Sequence, residues 1–517
     1  MRISQRLPLI LGLPLWSLLG ATHHDQVNLD LRHQVIDNFG ASDCWSIQKI
    51  GAWPDAQREH LAKLLFSTKE GIGLSCWRFN VGAGPDSTIV DPWRTAETFE
   101  LSEGKYDWTR QASQQWFLEA AKRNGVPKLL AFANSPPARM TRNGLTHTKK
   151  GDGSTNLKPG YEIQFARYLA DILEYFRTVK QIPFQFVSPV NEPSWEWDKP
   201  DQEGNRYSNT DIRGVLVALD AALQDRKLDT QIIAPESASI QALSKPVSGL
   251  AKEYNADYGN YLEYLLGDPS LSSILHRRVA FHSYLSDRLN TELVQNRQAA
   301  RTAFAKYPGA SLWQSEYCIL TGSDGKGGGG RDLSMKTALD VARVMHYDLT
   351  LLDVSAWQWW LALSRWDYKD GLVYTDYEKP GDKPSVIPSK LLWSFGNFSR
   401  FVRPGMRRVE LTGDGHDKNG LLGSAWIDQR DGAVVLVYIN EGTLAEDIEV
   451  TFAGSVNPLA LPMTGMVPFV TSDRPGDDLK AYAFTPLDAS GKLTYSIPAR
   501  STVTLVARRS QEPTAKH

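Results

Sequence analysis

Two lone carboxylates stand at the ends of two short apolar runs. Phe184 to Val190 stops at Asn191-Glu192-Pro193, and Ser311 to Ser315 stops at Glu316-Tyr317. Each run is too short for a buried helix and reads as a strand buried on both faces. Pro193 ends the first ladder and biases Glu192 towards an extended backbone. A charge at the lip of an interior strand is costly to bury unless it has a task or a partner. Taken singly, Glu192 could cap a helix or pair with an arginine. Two such acids on separate strands are what cleavage of a glycosidic bond requires. One, held protonated, donates to the leaving oxygen, and the other, ionised, attacks or stabilises the sugar cation.

The elements that would position them follow from the apolar pattern. Eight short segments, 35–40, 73–81, 128–134, 184–190, 231–235, 278–284, 311–316 and 354–360, alternate with helix-like stretches such as 56–66, 112–122, 162–177, 211–223 and 260–266. That alternation predicts an α/β fold, a closed (β/α)8 TIM barrel over 35–400, whose strand ends carry the chemistry. An open doubly wound sheet is the alternative, weakened by the absence of a glycine-rich nucleotide loop after an early strand. Gly322 to Gly330 has no Lys-Ser/Thr and reads as a flexible rim loop or lid.

Beyond residue 400 the period becomes two, in 420–426, 432–440, 447–453 and 494–506, which predicts an all-β sandwich over 401–510. The early strand 27–31 is assigned to that sandwich, so that both chain ends form it, with 22–34 contributing. Residues 511–517 read as a polar tail.

Other strand-end residues converge on the same mouth. Arg78, with Asn80 behind it, could bond a working carboxylate and lower its pKa, or satisfy a structural acid. Asn134 before two prolines is a turn former or a partner for a sugar hydroxyl. His282 and Tyr284 close the sixth strand, and Glu236 is a third acid after the fifth. Trp359 and Trp360 offer a floor for ring stacking. Trp195 and Trp197 line the leaving-group side or pack their own loop.

Composition excludes several classes. The 517 residues are 42% hydrophobic, enough for two domains, and 57 basic against 59 acidic residues leave no signal for a nucleic-acid partner. Sixteen tryptophans favour a ligand with flat apolar faces, such as a sugar. Three cysteines, Cys44, Cys76 and Cys318, exclude a disulfide-dense scaffold, although one bridge stays open. No His or Cys pair has metal-ligand spacing, so neither metal nor cofactor is expected. Residues 1–21, with Arg2 and Arg6 before the apolar stretch 7–19, read as a signal peptide, which implies a secreted or periplasmic protein. Asn397-Phe398-Ser399 is the one glycosylation sequon.

The ordered set Phe39-Gly40-Ala41-Ser42, Trp77-Arg78-Phe79-Asn80, Asn134-Ser135-Pro136-Pro137, Asn191-Glu192-Pro193, His282-Ser283-Tyr284, Gln314-Ser315-Glu316-Tyr317 and Phe398-Ser399-Arg400-Phe401-Val402-Arg403-Pro404-Gly405 resembles glycoside hydrolase family 30. The resemblance spans about 27–507. It implies a retaining barrel glycosidase with Glu192 as acid/base, Glu316 as nucleophile and Asn191 holding the 2-hydroxyl. The block Gly40 to Trp45, Trp93 and the loop 195–207 look closest to the endo-β-1,6-galactanase-like branch. β-1,6-Glucanase, xylanase and exo-acting members remain alternatives, as do a transglycosylase and a non-catalytic carbohydrate-binding protein.

Overall fold

The computed structural model describes residues 22–51, 53–288, 292–413, 420–454 and 463–509. The expected signal peptide and polar tail lie outside the described residues. The barrel strands are Asn38–Ser42, Cys76–Asn80, Lys128–Phe132, Phe186–Ser188, a fifth in two pieces (Gln231–Ile232 and Pro235–Ser237), Arg278–His282, Ser311–Glu316 and Ala356–Ser364. All neighbours pair in parallel, and the eighth returns to the first through Trp357 opposite Phe39. The first piece of strand five pairs with strand four and the second with strand six, so the closed barrel is completed across the break.

Period two along the strands builds the interior. Cys76, Leu130, Phe186, Ile233, Ala280, Trp313 and Ala356 form one apolar layer inside the barrel. The Phe186 and Trp313 rings meet edge to face at 4.7 Å. One step up the same inward rows come Arg78, His282, Ser315 and Gln358, so the apolar layer is the floor on which the polar mouth stands. The odd-numbered Phe79, Phe281, Trp357 and Trp359 face outward into the larger core between strands and helices.

The second sheet runs in the spatial order Lys480–Ala481, Met463–Ser472, Ser501–Arg509, Val434–Asn440, Leu421–Asp428, Met406–Gly413, Thr22–Val35, Glu446–Ala453 and Leu493–Ile497. Thr22–Val35 lies between Met406–Gly413, which it meets antiparallel, and Glu446–Ala453, which it meets parallel. The expected strand 494–506 is two strands with a turn between them, and Met406–Gly413 and Met463–Ser472 add to those anticipated.

The three cysteines are all buried and unbridged. Asn397 is fully buried in the helix Lys390–Ser399, donating to Phe469 O (2.9 Å) and Thr504 Oγ1 (3.0 Å), so the folded chain offers no glycan acceptor there. Within the glycine segment Gly328 is packed, while Gly325, Gly329 and Gly330 stay exposed. A Cβ on Gly328 would fall 1.9 Å from the Ile319 carbonyl and 2.5 Å from the Tyr368 ring, and Gly329 bridges Tyr368. Glycine is needed there for close approach.

Candidate active site

Glu316 ends strand seven. Its Oε2 accepts from Arg78 Nη1, and its Oε1 accepts from Tyr284 Oη at 2.9 Å. Arg78 Nη2 reaches Asn191 Oδ1 at 3.2 Å and lies 3.7 Å from Glu236 Oε2. The guanidinium, fully buried above the Phe132 ring, thus ties strand two to strands four, five and seven.

Glu192 sits across the mouth. Its φ is +45°, in the left-handed region and not the extended conformation expected before proline. Tertiary contacts override that local bias. Glu192 N donates to Glu236 O (2.9 Å), while Glu192 O accepts from Trp195 N (2.9 Å) and Trp197 Nε1 (3.1 Å). Left-handed backbone at a bulky residue persists only when its surroundings hold it, and such residues cluster at active sites.

His282 joins the acids. Its Nδ1 is 2.9 Å from Glu192 Oε1 and 3.6 Å from Glu316 Oε1, and its Nε2 is 3.1 Å from Glu236 Oε2. Burial alone would lower the imidazolium pKa, but Glu316, Glu192 and Glu236 outweigh it and push it up to about 9. Burial raises the Glu192 carboxyl above the usual range, opposed by the His282 bond and Arg78 and assisted by the charge of Glu316. For Glu236, burial would do the same, but Arg78, His282 and Ser315 overcome it and hold the carboxyl low. The Glu192 carboxyl and the His282 imidazolium are thus both raised where they meet, with the Glu236 carboxyl held low behind them.

One oxygen of Glu192, one of Glu316 and a His282 ring nitrogen lie within 4.8 Å of one another. These three atoms could in geometry hold a metal ion. The chemistry opposes it, because Arg78 already occupies Glu316 and the ring is protonated near neutrality.

Exposure sorts the remaining expected residues. Asn191, Tyr284, Trp360, Glu192 and Glu316 keep some surface at the mouth, and Trp195 is 49% exposed beside Glu192. Arg78, Asn80, Glu236, His282 and Trp359 expose none. These five lie behind the residues that keep surface at the mouth. Trp359 fails as a stacking floor because period two turns it outward, where its Nε1 donates to Asp370 O at 2.7 Å. Trp360, on the inward row, packs edge to face on Trp45 at 6.2 Å and lies 6.0 Å from the Arg78 guanidinium. Asn134, almost fully buried, donates to Asn80 Oδ1 at 3.3 Å, and Asn80 N donates to Asp43 Oδ1 at 2.8 Å. That pair joins strand ends two and three, and none of its hydrogen bonds reaches the three glutamates. Trp197 is loop packing, with its ring where a Cβ on Gly204 would fall 2.2 Å away. Ser315, overlooked as a site residue, donates to Glu236 Oε2. Its place two residues above Trp313 on an inward row was the signal available.

A barrel whose strand-four and strand-seven acids face each other beside a buried arginine, carried with a β-sandwich, defines an O-glycosyl hydrolase. Comparison with known proteins narrows the class. Residues 23–374 match the model of O-glycosyl hydrolase family 30, and 405–505 match the glycosyl hydrolase family 30 β-sandwich domain. The chain belongs to glycoside hydrolase family 30. It is 24% identical over 404 residues to an endo-β-1,6-galactanase of Hypocrea rufa, covering 72% of this chain and 74% of that one. A solved structure of a conserved exported protein from Bacteroides fragilis is 29% identical with a TM-score of 0.80, over 93% of this chain and 99% of that one. The catalytic domain of xylanase C from Talaromyces cellulolyticus shares the fold at 21% identity and a TM-score of 0.67, over 94% and 100%.

Proposed function

We propose that this enzyme hydrolyses β-1,6-linked galactan with net retention, Glu316 acting as nucleophile and Glu192 as acid/base. The observation that carries the mechanism is the approach of the two carboxyls, with oxygens within 4.8 Å. Retaining enzymes hold the pair about 5–5.5 Å apart, whereas inversion needs about 6.5 Å or more to admit a water. Arg78 and Tyr284 each donate to one oxygen of Glu316 and fix its carboxyl for attack on the anomeric carbon. Glu192, raised by burial and by Glu316, gives its proton to the glycosidic oxygen as the C–O bond breaks and the Glu316–sugar ester forms. Esterification removes the Glu316 charge, so the Glu192 pKa falls and the carboxylate takes a proton from the water that cleaves the ester. In this reading Asn191, which accepts from Arg78 Nη2, holds the 2-hydroxyl.

The galactan reading is supported by the likeness to the Hypocrea rufa galactanase and by the Gly40 to Trp45 segment, which places Trp45 against Trp360. Residues 1–21 and the likeness to an exported protein support export, and no helix among the described residues is long and apolar enough to cross a membrane. The test is product release from β-1,6-galactan, arabinogalactan, β-1,6-glucan and glucuronoxylan, with Glu192→Gln and Glu316→Gln beside the parent. Oligosaccharides from the galactans alone, lost in both variants, are expected. Release from glucan or xylan instead would overturn the substrate and leave the mechanism standing.

A further inference from the structure

Behind the strand-six end lies a buried polar cluster that the mechanism above does not use. Asp348, on the helix Met335–Thr350, accepts from Ser283 Oγ (2.9 Å) and Trp357 Nε1 (2.8 Å) on Oδ2, and from Arg297 Nε (2.8 Å) on Oδ1. Arg297, on the helix Glu292–Phe304, also donates through Nη1 to Ser286 O and Leu293 O, both at 2.9 Å. Ser286 Oγ donates to Ser283 O at 2.8 Å and closes the turn. Ser283, Ser286, Arg297, Asp348 and Trp357 are all wholly buried.

A buried ion pair is weak support for stability, because desolvating two charges offsets most of their attraction. Such a pair fixes geometry, and what this one fixes is specific. Ser283 is the single residue between His282, which bonds Glu192, and Tyr284, which bonds Glu316. Its own N–H donates to Glu316 O at 3.3 Å. Strand six would otherwise end in a turn free to shift, with Leu285 at a φ of +57°. Three elements, the helices after strands six and seven and strand eight, converge on this one serine through Asp348.

We propose that Asp348 and Arg297 are positioning residues for the glycosidase reaction, acting through Ser283 to hold His282 against Glu192 and Tyr284 against Glu316. This rests on the assignment of Glu192 and Glu316 above. The groups facing His282 are Glu192, Glu236 and Glu316, with Arg78 beside the last two. Loosening His282 removes the bond that favours ionised Glu192, so the basic limb of kcat/KM moves up.

The test compares Ser283→Ala, which deletes only the hydroxyl, with the paired change Asp348→Asn and Arg297→Gln, which removes both charges together. In each, kcat should fall about tenfold or more, because small misplacements of reacting groups are expensive. KM should stay within about twofold, and the basic limb should rise by about half a pH unit or more. Unchanged kcat and pH profile in Ser283→Ala would overturn the proposal, whatever happens to its Tm. A lower kcat with an unmoved limb would overturn it too, since a merely loosened fold gives that result. Should the paired variant fail to fold, Ser283→Ala decides alone. Glu316→Gln in the same assay separates the two readings. If it is inactive while Ser283→Ala matches the parent, only the positioning role falls, and if it retains full activity, both fall.

Discussion

At the scale of residues, the two glutamates are told apart by what touches them. Glu316 accepts from a guanidinium and a phenol, whereas Glu192 meets the His282 ring. Azide separates the roles. Glu316→Ala with azide should yield a glycosyl azide of inverted configuration from an activated substrate, and Glu192→Ala one of retained configuration. The same configuration from both would remove the assignment. His282 supplies a second test. Its bond and charge pull the Glu192 pKa down, so His282→Gln should lose activity and shift the basic limb of kcat/KM upward. A downward shift would mean that His282 does not favour ionised Glu192.

At the scale of elements, the barrel sorts side chains by parity. Residues in step with Cys76, Ala280, Trp313 and Ala356 reach the mouth, and their neighbours reach the helices. That rule was legible in the sequence once the eight strands were drawn, and with it the inward turn of Arg78 and His282. Glu316, one residue out of step with Trp313 and Ser315, reaches the mouth through a register slip between strands six and seven after Phe281. The rule would also have separated Trp360 from Trp359, had the strand phase been fixed from the small residue Ala356. The break in strand five and the left-handed backbone of Glu192 were not legible, because partners far away in the chain impose both. The packing of the glycine loop on Tyr368 was hidden for the same reason, since glycine marks flexibility and close approach alike. The loop after strand four carries its own prediction. Trp195 is exposed next to Glu192, and on the reading that it stacks against the leaving-group sugar Trp195→Ala should raise KM for polymer about three- to tenfold and leave small aryl glycosides unaffected. An equal loss on both substrates would place the ring elsewhere.

At the scale of the whole molecule, buried acids link stability to pH. Glu203, wholly buried where the loops after strands two and four meet, accepts from Ala96 N at 2.6 Å, and burial pushes its carboxyl up to about 8. Asp43 under the first strand end is likewise raised to about 8. The native state binds these protons more tightly than the unfolded chain does. Their stabilisation is therefore complete below the unfolded value of 4.5 for Glu203 and 3.8 for Asp43, and is lost as pH rises to about 8. Glu203→Gln removes one such titration, so its Tm should fall less between pH 5 and pH 9 than that of the parent. An identical fall would show that Glu203 is ionised in the fold.

The place of Thr22–Val35 in the second sheet has a consequence in time. The earliest described strand is flanked by Met406–Gly413 and Glu446–Ala453, and the sheet also includes Ser501–Arg509. A ribosome releases the barrel segments long before those partners exist, so the first strand waits through most of synthesis with its edges unpaired. The barrel and its catalytic mouth can assemble during that wait, but the sheet cannot close until the chain is nearly finished. Completion of the molecule is thereby tied to completion of the polypeptide, and a truncated product would keep an open edge that marks it as unfinished.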